Sequence, residues 1–157
     1  IYLIDTMSVM DNVLAAGLLV SRDKKAVAAR AKELFHAVGI PEETQRKFPT
    51  QISGGEAQRV GIVRALINSP EILFADEPTG ALNSKAGLDV LDTLTKFHEE
   101  GLSVVMVTHD MRSARRGNRI LYLKDGAVMG ECELGHYKPD DKARHEKLRA
   151  FLAEMGW

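Results

Sequence analysis

The sequence predicts an α/β fold built on a parallel sheet, and three observations carry that prediction. Ile72-Leu73-Phe74-Ala75 is an apolar run that ends in Asp76, Glu77 and Pro78, the pattern of a strand covered on both faces. Ser103 to Val107 repeats the pattern. Between them, Ser84 to Glu100 carries Leu88, Leu91 and Leu94 at helical spacing and stops at Gly101, so that strand, helix and strand read as one βαβ unit.

The remaining elements follow in order. Ser8 to Val38 reads as helical, with Val27, Ala31, Leu34, Phe35 and Val38 on one face of a small helical subdomain. Pro41 with Glu42 and Glu43 forms a helix first turn, with acids near the positive end of the helix, and Phe48-Pro49 stops whatever precedes it. Ser53 followed three residues later by Glu56 is a capping box, which starts a helix that runs to about Asn68. The cap does not account for Gly54 and Gly55, which weaken a first turn unless something approaches the backbone closely. Exposed N–H groups and a serine hydroxyl at a helix start suggest phosphate recognition.

Asp76 and Glu77 fall at the carboxyl end of their strand, where open α/β sheets bind ligands. Such carboxylates can hold Mg²⁺ or polarise a water, although the pair alone reads equally well as a solvated acidic turn. His109 follows the second strand, and alone it too reads as a turn residue. Arg119 to Leu123, the turn Lys124-Asp125-Gly126 and Ala127 to Met129 predict a hairpin at the sheet edge. From Asp140 to Met155, Leu148, Phe151, Leu152 and Met155 form an apolar helical stripe capped by Asp140 or Asp141. Its mixed charges favour docking on the domain over membrane binding.

Composition narrows the function classes. A chain of 157 residues suits one domain, which buries roughly two-thirds of the surface that it exposes unfolded. The net charge of -1 gives no electrostatic footprint for nucleic acid or for an anionic membrane. Cys132 is the single cysteine, which rules out an intrachain disulfide and suits a cytosolic setting. The longest apolar run, Val13 to Val20, is too short to span a bilayer, so any membrane role is expected to be peripheral.

Four motifs together carry a family resemblance. Ile52-Ser53-Gly54-Gly55-Glu56-x-Gln58-Arg59 resembles the signature motif of ATP-binding cassette (ABC) ATPases, and the strand with Asp76-Glu77-Pro78 resembles their Walker B motif and catalytic glutamate. Gly80-Ala81-Leu82-Asn83 resembles the D-loop, and Val107-Thr108-His109-Asp110 the switch histidine. They stand in family order, with 21 residues from Gly55 to Asp76 and 32 from Glu77 to His109. The likeness runs to about residue 134. Glu56 and the Glu-Pro-Thr-Gly-Ala-Leu run are most similar to the branch that serves lipoprotein-release, macrolide and antimicrobial-peptide exporters.

The resemblance implies a P-loop NTPase (RecA-like) core, incomplete here, with an inserted α-helical signature subdomain. Residues 1–68 would form that subdomain, 69–134 the C-terminal part of the core, and 135–157 a linker and amphipathic helix. It also implies two ATPase subunits, a homodimer, arranged head to tail around two MgATP. Ser53, Gly54, Gly55 and Glu56 would cap the neighbour's ATP, while Gly80, Ala81, Leu82 and Asn83 would line the interface. Asp76 would hold Mg²⁺ through water, Glu77 would polarise the attacking water, and His109 would touch the γ-phosphate and orient Glu77. Closure would drive a transmembrane permease subunit from the cytoplasmic face, chiefly through the helical subdomain.

The sequence departs from the family pattern in places. No Gly-x-x-x-x-Gly-Lys-Ser/Thr occurs, the glutamine loop is absent, and Ile1 is not an initiator Met, so about the first third of the domain is expected upstream. Asn83 replaces the usual D-loop aspartate, which puts communication between the two sites in doubt. DNA-repair and chromosome-structuring ATPases share the four motifs, but their heptad coiled coils are not seen in residues 1–50. A non-hydrolysing interaction module is the third reading.

Overall fold

The computed structural model describes residues 2–157, which form two compact units that divide between Val105 and Met106.

Among the described residues, the first unit holds five α-helices. They are α1 (Val9–Leu18), α2 (Lys24–Ala37), α3 (Glu42–Gln45), α4 (Gly54–Leu66) and α5 (Ser84–Glu99). Ser8, Asp23, Ser53 and Asn83 accept hydrogen bonds from the first-turn N–H groups of α1, α2, α4 and α5, so each long helix starts at its own polar cap. The helical stretch expected from Ser8 to Val38 is therefore two helices, because the Asp23 cap restarts the chain after α1 ends. Val9, Val13, Ala31, Phe35, Val60 and Val63 have no exposed surface and form the core where α1, α2 and α4 meet. Gly17 is required there, since a β-carbon on it would lie 2.5 Å from Val27 Cγ1 and 3.0 Å from Ile67 Cγ1. Asn12, also buried, holds the entry segment by accepting from Ile4 N and donating to the carbonyls of Ile4, Met7 and Ser8.

Strands β1 (Ile72–Asp76) and β2 (Ser103–Val107) pair in parallel and flank α5, which is the βαβ unit that the sequence predicts. Their cover differs from expectation. Leu73 is buried, but Phe74 is 76% and Val107 60% exposed, and Ile72 and Val105 are about half exposed. One face of the pair is packed and the other is open. On α5 the inward face is Val90, Leu91, Leu94 and Phe97, and Leu88 turns outward.

In the second unit, α6 (Met111–Ala114) precedes β3 (Arg119–Lys124) and β4 (Ala127–Glu133), and α7 (Lys142–Glu154) closes the chain. The hairpin does not edge the first sheet: β3 and β4 form an antiparallel sheet of their own, with an irregularity between Tyr122 and Leu123. Asp141 caps α7, and Leu148 and Leu152 are buried, so the helix is docked. Gly130 lets it approach β4, because a β-carbon there would meet Met155 Sδ at 2.6 Å and Phe151 Cε2 at 3.0 Å. Arg144 clamps the same helix. Its guanidinium donates to the carbonyls of Arg115, Gly117, Leu134, Gly135 and His136. Burial lowers its pKa, against the pull of Asp141.

Candidate functional site

The first turn of α4 is closed reciprocally. Glu56 N donates to Ser53 Oγ at 3.3 Å, while Ser53 N and Ser53 Oγ each donate to Glu56 Oε2 at 2.8 Å. The Ser53 backbone N–H and then its hydroxyl hold Glu56 below the usual carboxylate range, outweighing desolvation, with Arg59 and Lys47 adding to the effect.

The two glycines have a reason inside the chain. A β-carbon on Gly55 would lie 2.9 Å from Ala86 Cβ, and one on Gly54 would lie 3.3 Å from Leu82 Cδ2. The signature turn is thus pressed against the Gly80–Asn83 loop and the start of α5. Close approach does explain the glycines, as the sequence suggests, but what approaches here is the chain's own helix. Ala86 was not singled out in the sequence, although a small residue in the first turn of α5 is the fitting partner for a buried glycine.

The same loop reaches the acidic strand end. Gly80 N donates to Glu77 O at 3.1 Å, closing a turn with Pro78 at its second position. A β-carbon on Gly80 would lie 3.6 Å from Glu77 Cβ and 4.0 Å from its Oε2, so the Glu77 carboxylate leans over the loop. Glu77 itself has φ 41°, a left-handed conformation that costs a non-glycine residue roughly 1–3 kcal/mol and concentrates at functional sites. Asn83 accepts from Ala86 N at 2.9 Å, so the residue that stands in for the usual aspartate does a neutral helix cap's work. The structure therefore joins Ser53–Glu56, Gly80–Asn83 and Glu77 in one corner of the first unit, with Asp76 exposed at the last position of β1.

His109 belongs to the second unit, in the exposed link between β2 and α6. Thr108 Oγ1 accepts from Asp110 N at 3.0 Å, and Asp110 caps α6 by accepting from Ser113 N and Ser113 Oγ. The histidine is thus held between two locally anchored residues. Burial alone would raise the Asp110 pKa, but the Ser113 hydrogen bonds hold it below the usual value.

The donors present suit a phosphate-bound Mg²⁺. Asp76 and Glu77 offer hard carboxylate oxygens at a strand end, and among the described residues no group of three or more His, Cys, Asp or Glu forms a cage. Mg²⁺ is typically held by one or two carboxylates together with substrate phosphates and water.

Comparisons with known proteins agree with this geometry. The ABC transporter family profile matches residues 2–80. The lipoprotein-releasing system ATP-binding protein LolD of Aquifex aeolicus is 44% identical over 130 residues, covering 83% of this chain and 58% of that protein. The uncharacterized ABC transporter ATP-binding protein MJ1508 of Methanocaldococcus jannaschii is 41% identical over 128 residues, covering 82% and 57%. A macrolide export ATP-binding/permease protein, MacB 1 of Aeromonas hydrophila, is 44% identical over 130 residues, covering 83% and 20%. Among solved structures, the ATP-binding cassette MJ0796, a dimer in a post-hydrolysis state bound to ADP and Pi, superposes with a TM-score of 0.74 at 40% identity, over 86% of this chain and 60% of that one. The chain spans less than two-thirds of the length of each of these relatives. Motifs, corner geometry and comparisons converge: the chain belongs to the ABC transporter ATP-binding family.

Proposed function

We propose that this chain is part of the ATP-hydrolysing subunit of an ABC transporter, acting as a head-to-tail homodimer that couples MgATP binding and hydrolysis to a transmembrane permease at the cytoplasmic membrane face. Residues 1–68, 69–134 and 135–157 serve as helical subdomain, C-terminal part of the RecA-like core, and terminal linker with helix. The observation that carries this reading is the corner in which the Glu77 carboxylate, the Gly80–Asn83 loop and the start of α4 are packed in sequence. A contact made on the loop by a second copy would then be felt at both Glu77 and Ser53.

In this mechanism Ser53, Gly54 and Gly55 present the positive end of α4 to the γ-phosphate of ATP bound to the neighbouring subunit. Glu77 accepts a hydrogen bond from the attacking water and aligns it, from a carboxylate that lies beside the Gly80 loop. His109 contacts the γ-phosphate and steadies Glu77. Asp76 would hold Mg²⁺ through water, and the cation would supply charge neutralisation for the phosphates. LolD and MacB are named for lipoprotein release and macrolide export, which supports export as the transport direction.

The test uses the full-length protein carrying Glu77→Gln, so that bound ATP persists. MgATP is expected to convert it to a dimer on sizing. Adding Ser53→Arg should leave nucleotide binding intact and abolish the dimer, because a bulky cation blocks the helix end. A dimer that survives Ser53→Arg would remove the trans role of the signature turn.

A further inference from the structure

The helix end proposed to face a phosphate is already occupied by an anion of its own chain. The hydroxyl of Ser53 has one proton, and it is donated to Glu56 Oε2 at 2.8 Å. A phosphate oxygen is an acceptor, so Ser53 can donate to it only after Glu56 has let go. Glu56 also has somewhere to go. Three residues on along α4, Arg59 Nε is buried without a hydrogen-bond partner among the described residues. Its guanidinium folds back along the first turn, with Nη1 3.9 Å from where a Gly55 β-carbon would stand. Residues at this i,i+3 spacing are neighbours on a helix surface.

We propose that Glu56 is a two-position carboxylate: it closes Ser53 when the signature turn is unengaged, and it transfers to Arg59 when the neighbour's ATP phosphate takes the serine. In the first position it satisfies the turn and keeps other anions off it. In the second it accepts from the unpartnered Arg59 Nε–H and withdraws its charge from the incoming phosphate. Glu56 and Arg59 are then positioning residues, acting on ATP through Ser53. Lys47, whose charge also acts on Glu56, lies outside α4 and biases both positions. The proposal rests on the reading of Ser53 as a contact to ATP in trans.

The experiment titrates MgATP-driven dimerisation by sedimentation in the full-length protein carrying Glu77→Gln. Adding Glu56→Gln keeps the reciprocal cap, since glutamine also accepts at this position, but removes the charge. The MgATP concentration at half-dimerisation should fall about tenfold, because a charge-assisted bond no longer has to be exchanged. Arg59→Met, which keeps the stem and removes the head, should raise that midpoint several-fold, yet change it little once Glu56→Gln is present. This loss of the Arg59 effect separates a shared switch from a general packing defect. An unchanged or raised midpoint for Glu56→Gln would overturn the proposal, as would an Arg59→Met effect of equal size in both backgrounds. Should Arg59→Met fail to fold, Arg59→Gln takes its place, and the Glu56→Gln shift still decides. Absence of any MgATP-induced dimer, with or without these changes, would overturn the trans reading itself, whereas a dimer at an unaltered midpoint would overturn only the two-position carboxylate.

Discussion

The helices of the first unit and the β1–β2 pair both present apolar faces, yet these faces end in opposite states. Val9, Val13, Ala31, Phe35, Val60 and Val63 are sealed from solvent, while Phe74 and Val107 stand largely in it. The helices close on one another because α1, α2 and α4 present stripes that match, with Gly17 removing the one side chain that would hold them apart. The strands cannot do the same, since a two-stranded sheet has two faces and residues 2–157 cover one. Ser53, Glu56, Asp76 and Glu77 lie along the seam of the first unit. Ser53 and Glu56 start a sealed helix, whereas Asp76 and Glu77 end a half-covered strand. Stability and chemistry are therefore expected to respond to different substitutions.

The largest effect is expected at the strand end. In the full-length protein, Glu77→Gln should lower steady-state ATP turnover by roughly 10²- to 10⁴-fold while nucleotide binding persists, the loss typical of a removed general base. Near-normal turnover would show that the strand end does not carry the chemistry, and would break the contrast.

The comparison itself is tested by two phenylalanines. Phe35→Ala should cost about 3–5 kcal/mol in a urea titration, because it empties a site with no exposed surface. Phe74→Ser should change stability by only about 0.5 kcal/mol. It should instead reduce self-association of the 157-residue polypeptide, read by light scattering, since an open apolar face is a sticky one. Equal costs at the two positions would mean that the strand pair is covered in solution.

Gly55→Ala probes the seam. The added methyl meets Ala86 Cβ at 2.9 Å, two rigid backbones must part, and a loss of about 1–3 kcal/mol is expected. Ala86→Gly in the same chain should recover part of that loss, and no recovery would place the strain elsewhere.

The smallest effect concerns pH. Glu56 titrates below its ordinary value of 4.5 because Ser53 holds the charged form, so its contribution to stability is complete above that value and is lost as pH falls through the folded pKa. Between pH 6 and pH 3, wild type should lose slightly more stability than Glu56→Gln, measured by denaturant midpoints at each pH. Parallel pH profiles would show that the cap holds no ionised carboxylate.

How much of this was legible in the sequence depends on range. Ser53 with Glu56, the stop at Gly101 and the turn before Gly126 are decided within a few residues, because caps and turns are local bonds, whereas the choice of Asp141 over Asp140 as the α7 cap is made by the fold. The helical face Val27, Ala31, Leu34, Phe35 and Val38 was equally legible, since a helix's period sorts inside from outside wherever the helix docks. By itself the sequence thus determined the α/β class, the βαβ unit, the hairpin, the order of the four motifs and the family, whereas the break between α1 and α2 and the short α6 appear only in the fold. Tertiary structure alone decided that Gly55 serves Ala86, that Glu77 leans over Gly80, that Arg144 clamps α7 through five carbonyls, and that Phe74 faces solvent. The physical reason is that a side chain's surroundings depend on segments far away in the chain, and an apolar residue states a need for cover without stating whether anything meets it.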